Sequence, residues 1–268
     1  MSGAGRQELY RLLNGPAAGL AIRIGTCFLV LIYFQVGYKW GYRSHSGTGV
    51  FDAALPLDAW LPLVPEFIVF YMLGYLFVLV PCLLVRERKA FYSATVVFCL
   101  MLAVAFLLFR YMPVHMHKTY ALGDDWYSRL AYFQQSKDTP YNNFPSLHVA
   151  LNVYAYALIA WQARRIPAWW LPWPVLIVVS TLLVKQHLVV DVVAGGLLAW
   201  VGFRAFRRLM EIRSGIIVGC YIAVVAGMLV VLVTHLERLG KTARKVGRFL
   251  EAGGITPVQA MTAVVVVS

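Results

Sequence analysis

The chain has 268 residues, of which 60% are hydrophobic and only 13% are charged, and its mean hydropathy is +0.70. A soluble domain of this length carries about a quarter charged residues, so the composition excludes an ordinary soluble protein and favours several helices packed in a membrane. The formal charge of +12 raises nucleic-acid binding as an alternative. We reject that alternative because the basic residues are concentrated in short loops between apolar runs, as is typical of membrane proteins.

Seven apolar runs approach the length of about 20 residues that a bilayer requires. They lie near residues 18–38, 61–85, 90–109, 144–162, 169–187, 188–206 and 215–234. The first is expected to be a retained span, because no clear cleavage site follows it. The fifth and sixth nearly touch, so the chain must turn sharply between Lys185 and Asp191. The pattern predicts an all-α, polytopic transmembrane helix bundle.

Basic residues in the loops predict which way the bundle faces. Most of them lie on one side, which includes Arg86, Arg88, Lys89, Arg164, Arg165, Arg204, Arg207, Arg208 and Arg213. The positive-inside tendency places this side in the cytoplasm and the long polar loop, residues 110–143, on the opposite side. A seventh span would carry the basic tail, residues 235–251, to that opposite side, which conflicts with the same tendency. The tail fits either an interfacial amphipathic helix or a solvated segment.

The first candidate for chemistry is the pair His187 and Asp191 at the start of the sixth run. Residues four apart share one face of a helix. Asp191 can therefore accept a proton from one imidazole nitrogen of His187 and leave the other nitrogen free to attack phosphorus. The alternative is a buried pair that only ties two helices together. Ionisable residues in a membrane segment are costly, which favours a functional role.

The second candidate is the segment Phe144–His148 at the start of the fourth run. We expect Asn142 or Asn143 to cap this helix and Pro145 to occupy its first turn. The helix N-terminus would then attract a phosphate, Ser146 would donate a hydrogen bond to it, and His148 would protonate the leaving oxygen. The alternative for His148 is a satisfied interfacial residue. Both motifs are expected at the same face of the membrane.

These motifs resemble two signatures of the type 2 phosphatidic acid phosphatase (PAP2) superfamily. Pro145-Ser146-Leu147-His148 resembles the second signature, usually Pro-Ser-Gly-His. Ser180-Thr181, followed after five residues by His187 and after three more by Asp191, resembles the third, usually Ser-Arg-(five)-His-(three)-Asp. The resemblance covers about residues 90–206.

The resemblance implies a six-helix core, no metal requirement and a covalent phosphohistidine. It assigns the nucleophile to His187, its orientation to Asp191, acid and base catalysis to His148, and a phosphate contact to Ser146. On this basis we expect a transmembrane catalytic domain over residues 1–214. Residues 215–268 would add a C-terminal span and the basic amphipathic tail.

The chain departs from the family pattern at its cations. The first signature, Lys-(six)-Arg-Pro, is not present as written, and Thr181 stands in place of the third-signature arginine. A phosphoryl group still requires cations or N–H donors, for which Arg110, Lys118 and Lys185 are the candidates. Arg110 and Lys118 are equally interpretable as residues that extend to the lipid head-group level. Leu147 and Thr181 resemble the inositol phosphorylceramide synthase branch of the superfamily.

A zinc site is a further alternative, since His115 and His117 share the long loop with Asp124 and Asp125. No ligand spacing in this loop is diagnostic. We therefore expect no metal and no cofactor.

The sequence thus favours an integral-membrane lipid phosphatase that acts on a membrane lipid at the extracytoplasmic face of a bacterial-type inner or plasma membrane. One alternative is a phosphotransferase that moves a phospho-head-group to a lipid or polyol hydroxyl through the same residues. The other is a transporter or scaffold built on the same bundle with a degenerate site.

Overall fold

The computed structural model describes residues 16–42, 50–163 and 170–253. The predicted loop cations Arg164 and Arg165, and both ends of the chain, lie outside these residues. The helices are α1 (Pro16–Tyr42), α2 (Pro56–Trp60), α3 (Ile68–Phe77), α4 (Val80–Leu84), α5 (Arg88–Tyr111), α6 (Trp126–Lys137), α7 (Leu147–Ala163), α8 (Pro172–Leu183), α9 (Val189–Glu211) and α10 (Ser214–Gly253). Five helical segments in the described chain are long and apolar enough to cross a membrane. The prediction of an all-α polytopic bundle is confirmed.

Two-residue strands tie the segment after α1 to the long polar loop. β1 (Phe51–Asp52) pairs in parallel with β2 (Val114–His115), with Phe51 opposite Val114 and Asp52 opposite His115. This small ladder fixes both segments at the same end of the bundle.

The second apolar run forms one candidate span, Pro65–Leu84, whose helix is interrupted part-way. A 3₁₀ turn at Pro65–Phe67 leads into α3, and the helix is interrupted before α4 begins at Val80. The reason is Pro81, which has no amide hydrogen to donate to the carbonyl of residue 77 and whose ring crowds that carbonyl.

α5 is the central helix of the bundle. Its side chains dominate the largest hydrophobic cluster, and α1, α9 and α10 all pack against it. The C-terminal part of α1 approaches α5 closely at Gly37, where an added Cβ would overlap the Phe106 ring. Small residues permit this kind of close packing between helices in lipid. The other main packing pair is α7 with α9.

The C-terminal segment is a single helix that joins the core. α10 packs along α1 and α5, where Tyr221 Oη lies 2.5 Å from Thr26 Oγ1 and the Tyr221 ring stacks on Tyr92 at 4.2 Å. The described tail continues α10 without a break instead of forming a separate interfacial helix or a coil. Its side chains beyond Thr242 lie outside the described residues.

Polar contacts define two ends of the bundle. At one end, Lys89 Nζ donates to the Met210 carbonyl at 2.7 Å, which brings the start of α5 to the end of α9. At the other end, Ser146 N donates to the Asp191 carbonyl at 3.0 Å, which brings the starts of α7 and α9 together. The two predicted motifs therefore share one end, opposite the basic loops.

Candidate active site

The turn between α8 and α9 delivers His187 to the site. Lys185 has a φ of 52°, in the left-handed region that often ends helices. The Thr181 carbonyl then accepts hydrogen bonds from both Gln186 N, at 3.0 Å, and His187 N, at 3.1 Å. The predicted fifth run is thus shorter than expected, because α8 ends at Leu183 and the following residues form this tight turn.

His187 and Asp191 face each other at the start of α9. His187 Nδ1 lies 3.6 Å from Asp191 Oδ2, and the two side chains are only 8% and 0% exposed. Asp191 Oδ2 also accepts a hydrogen bond from Leu188 N at 2.9 Å, which caps the first turn of the helix. The helix N-terminus stabilises this carboxylate as an anion. Asp191 is therefore fixed against Nδ1, and Nε2 is on the other side of the imidazole ring.

Ser146 caps α7 and links it to α9. Its hydroxyl oxygen accepts a hydrogen bond from Val149 N at 3.2 Å, while its own N–H donates to Asp191 O. A Cβ on Gly195 would lie 2.5 Å from the Ser146 carbonyl oxygen, so the glycine permits this close approach of α9. The backbone at Ser146 thereby holds the two motifs side by side.

The predicted capping by Asn142 or Asn143 is wrong. Asn142 Nδ2 donates to the Tyr38 carbonyl at 3.0 Å, and Asn143 Nδ2 donates to the Pro140 carbonyl at 2.7 Å. Pro145 precedes the helix instead of occupying its first turn, and its peptide bond to Phe144 is cis. Ser146, one residue closer to the helix, occupies the capping position.

His148 is held by aromatic rings from α3. Its imidazole stacks on Tyr71 with ring centroids 4.1 Å apart and meets Tyr75 edge-on at 5.2 Å. Nε2 is buried and has no hydrogen-bond partner in the described structure. A Cβ on Gly74 would overlap this nitrogen, so the imidazole lies directly against the α3 backbone. The position of His148 is thus set by packing, and its Nε2 is a buried nitrogen without a hydrogen-bond partner in the described structure.

Both histidines line one cavity of about 440 Å³. Its polar end also contains Lys137, Asp138 and Asn142. The rest is largely apolar and extends along α7 from Leu147 to Leu158, a distance of about 16 Å at the helical rise. The side chains along this apolar part include Val30, Phe34, Val78, Leu79, Val85, Phe91, Phe98, Leu151 and Ala155. The cavity therefore joins a polar, histidine-containing end to an apolar channel.

A family model described as the PAP2 superfamily matches residues 50–205, more than half of the chain. The chain belongs to the PAP2 superfamily. Searches of curated proteins and of solved structures found no match. The matched segment contains both signature motifs and runs from β1 into α9. α1 and α10 lie outside it. The resemblance to the inositol phosphorylceramide synthase branch stays a prediction.

The cations proposed to replace the first PAP2 signature are dispersed. Arg110 lies over the Trp40 ring, 5.4 Å from its centroid, and Lys185 Nζ donates to the Asp58 carbonyl at 2.8 Å. Neither residue, nor Lys118, lines the cavity that holds the two histidines. Among the described residues that line this cavity, the single lysine or arginine is Lys137. Sequence reasoning placed Lys137 only in the loop and gave it no role.

Lys118 lies near the polar end of the cavity, beside the side chain of Gln186. One terminal atom of the Gln186 amide lies 3.3 Å from Lys118 Nζ and 3.2 Å from Asp138 Oδ2. Tyr38 Oη donates a hydrogen bond to the other Asp138 oxygen. Burial lowers the pKa of the Lys118 ammonium, and the charge of Asp138 offsets part of that effect. These side chains form a polar network beside His187, the residue that follows Gln186.

Sequence reasoning also missed Tyr71, Tyr75 and Asp138. The sequence contains a weak signal for the two tyrosines. They are four residues apart, so they share one helix face, and Gly74 lies next to them on that face. Nothing in their spacing relates them to His148, because that contact depends on how α3 packs against α7. Asp138 could be recognised only as one polar residue among many in the long loop.

Two of the residues considered for zinc, Asp125 and His117, make other contacts. Asp125 caps α6 by accepting hydrogen bonds from Ser128 N and Oγ at 2.7 and 2.8 Å. His117 Nε2 lies 4.0 Å from Asp52, and both side chains are exposed. Within the described residues, His, Cys, Asp and Glu form no group of three or more that could hold a metal ion.

Proposed function

We propose that this PAP2 protein is a lipid phosphatase that hydrolyses a phosphomonoester or diphosphate through a phosphohistidine on His187. The observation that carries the proposal is that His187 and His148 share one cavity whose remaining length is apolar. A phosphate at the polar end and a hydrocarbon chain along α7 would fit this division. Such concave, mostly apolar sites with a few polar groups are typical of ligand pockets.

In the first step, His187 Nε2 attacks phosphorus and the bond from phosphorus to the lipid oxygen breaks. Asp191 holds the proton on Nδ1 and stabilises the cationic imidazole that forms. The distance of 3.6 Å is longer than a hydrogen bond, and contacts of this kind commonly tighten when substrate binds. His148 gives a proton to the departing lipid oxygen, which leaves as an alcohol.

In the second step, water attacks the phosphohistidine. His148, now neutral, takes a proton from that water as the new phosphorus–oxygen bond forms and the phosphorus–nitrogen bond breaks. Inorganic phosphate leaves, and His187 returns to its starting state. Lys137 is the cation available at the polar end, and Lys118 lies outside the cavity lining, beside Gln186.

A phosphotransferase is the second candidate, and Leu147 favours it. This residue, which stands where the PAP2 signature usually has glycine, lines the cavity beside His148. An apolar wall at this point disfavours water and suits the approach of a lipid hydroxyl. The first step would be unchanged, and the acceptor hydroxyl would replace water in the second.

The active site is proposed to face away from the cytoplasm. In support, the histidines lie at the end of the bundle opposite the basic residues that begin α5 and end α9. The positive-inside tendency assigns those basic residues to the cytoplasm.

Phosphate release from purified protein tests the proposal. The protein would be assayed in EDTA with phosphatidic acid, a polyprenyl diphosphate and a sphingolipid phosphate, beside His187→Ala and the control His117→Ala at an exposed histidine. We expect release that survives EDTA, disappears in His187→Ala and persists in the control. Equal release by His187→Ala would refute the proposal. Lipid product formed only when diacylglycerol or ceramide is added would favour the phosphotransferase.

A further inference from the structure

A second groove, of about 790 Å³, lies between the C-terminal part of α1, the C-terminal part of α5 and α10. It shares no lining residue with the histidine cavity among the described residues. Its apolar wall is formed by Val36, Phe106, Leu107, Val231 and Leu239. All three helix segments belong to the end of the bundle that also holds the active site.

The charged lining of this groove is entirely basic. Lys39 from α1 and His235, Arg238 and Lys241 from α10 line it, and none of its described lining residues is a carboxylate. Lys39, Arg238 and Lys241 are exposed at its edge. Like charges that line one groove repel one another, so an anion bound among them would stabilise the arrangement.

The groove has a polar upper part and an apolar lower part. Along α10, the lining passes from Val231 to Lys241, about 15 Å at the helical rise. Trp40 and Arg110, which contact each other beside it, are residue types common at the membrane–water interface. In a membrane, this arrangement would set the cations at head-group depth and Val36, Phe106, Leu107 and Val231 at acyl-chain depth.

We propose that this groove binds an anionic phospholipid. Its phosphodiester would lie between Lys39, Arg238 and Lys241, and an acyl chain would run against Phe106, Leu107 and Val231. The proposal accounts for the conflict between α10 and the positive-inside tendency. A bound lipid anion neutralises the basic residues that α10 carries to this end. It does not depend on the phosphatase reaction.

Native mass spectrometry of the detergent-solubilised protein tests the binding directly. Phosphatidylglycerol and phosphatidylcholine of identical chains would be titrated against wild type, a K39Q/R238Q/K241Q variant and a charge-retaining K39R/R238K/K241R control. We expect wild type and control to prefer phosphatidylglycerol, and the glutamine variant to bind it about 100-fold more weakly. The preference in wild type should also decrease with added salt.

Two results would overturn the proposal. One is equal binding of the two lipids by wild type, which needs no variant and so is independent of any folding defect. The other is unchanged phosphatidylglycerol binding by the glutamine variant when size-exclusion chromatography shows it to be monodisperse.

Discussion

At the residue scale, His187 and Asp191 are buried beside the start of α9. The sequence predicted that they would share one helix face, but His187 lies in the turn two residues before α9 begins, so their contact depends on how that turn folds. What the spacing could not supply is the capping bond from Leu188 N, which fixes the Asp191 oxygen that His187 meets. That bond depends on where α9 begins.

Asp191→Asn should reduce kcat for phosphate release by about 10²–10⁴-fold, because the neutral amide no longer stabilises the imidazolium. The measurement is steady-state phosphate release per folded molecule, together with the thermal unfolding midpoint. If the pair only ties helices together, the unfolding midpoint will fall while kcat per folded molecule stays at the wild-type value.

Gly74→Ala should impair catalysis through His148. The new methyl group would overlap His148 Nε2, so the imidazole must move away from Tyr71. Gly196→Ala on α9 is the matched control, because a Cβ there meets nothing within 4 Å. We expect kcat to fall at least tenfold in Gly74→Ala and to be unchanged in Gly196→Ala. A tenfold fall corresponds to an increase of about 1.4 kcal/mol in the activation free energy. Similar kcat values in both would contradict the assigned position of His148.

Lys118 should limit activity at high pH. Burial lowers its pKa, so the ammonium that supports phosphate binding is present below that pKa and is lost at a lower pH than for an ordinary lysine. Lys118→Arg keeps the cation at all working pH values. It should therefore move the alkaline decline in kcat/KM to higher pH. Identical alkaline limbs in the two proteins would show that Lys118 has no such role.

At the scale of elements, the helices divide into those that the sequence predicts well and those that it does not. α5 and α9 match their apolar runs, because long uninterrupted runs have few alternatives in lipid. The second run contains Pro81 and becomes α3 and α4, while the fifth ends early because Lys185 adopts a left-handed conformation. Pro81 sets the first of these boundaries and the turn at Lys185 sets the second, and a hydropathy pattern contains neither.

The apolar channel along α7 predicts chain-length selectivity. Ala155 lines the channel about 12 Å from Leu147, so Ala155→Phe should obstruct the far part of a long hydrocarbon chain. We expect KM to rise for long-chain lipid phosphates and to be unchanged for short-chain ones. Ala157→Phe, on the same helix but outside the described lining, serves as the control. A uniform loss for all chain lengths would indicate overpacking instead of a bound tail.

At the scale of the whole molecule, the fold collects distant segments at one end of a bundle. The all-α polytopic class and PAP2 membership follow from composition and two short motifs. The polar network of Tyr38, Asp138 and Gln186 joins three separate segments, so no local pattern contains it. The division between residues 1–214 and 215–268 stays a prediction, although α10 packs against α1 and α5.

The most direct test of the central claim is to trap the phosphorylated enzyme. Wild-type protein would be mixed with a radiolabelled lipid phosphate, quenched at alkaline pH within one turnover and digested for mass spectrometry. We predict one phosphate on the peptide that contains His187, formed no later than free phosphate appears, and no label in His187→Ala. Rapid phosphate release with an unlabelled His187 peptide, or label on another residue, would contradict the account.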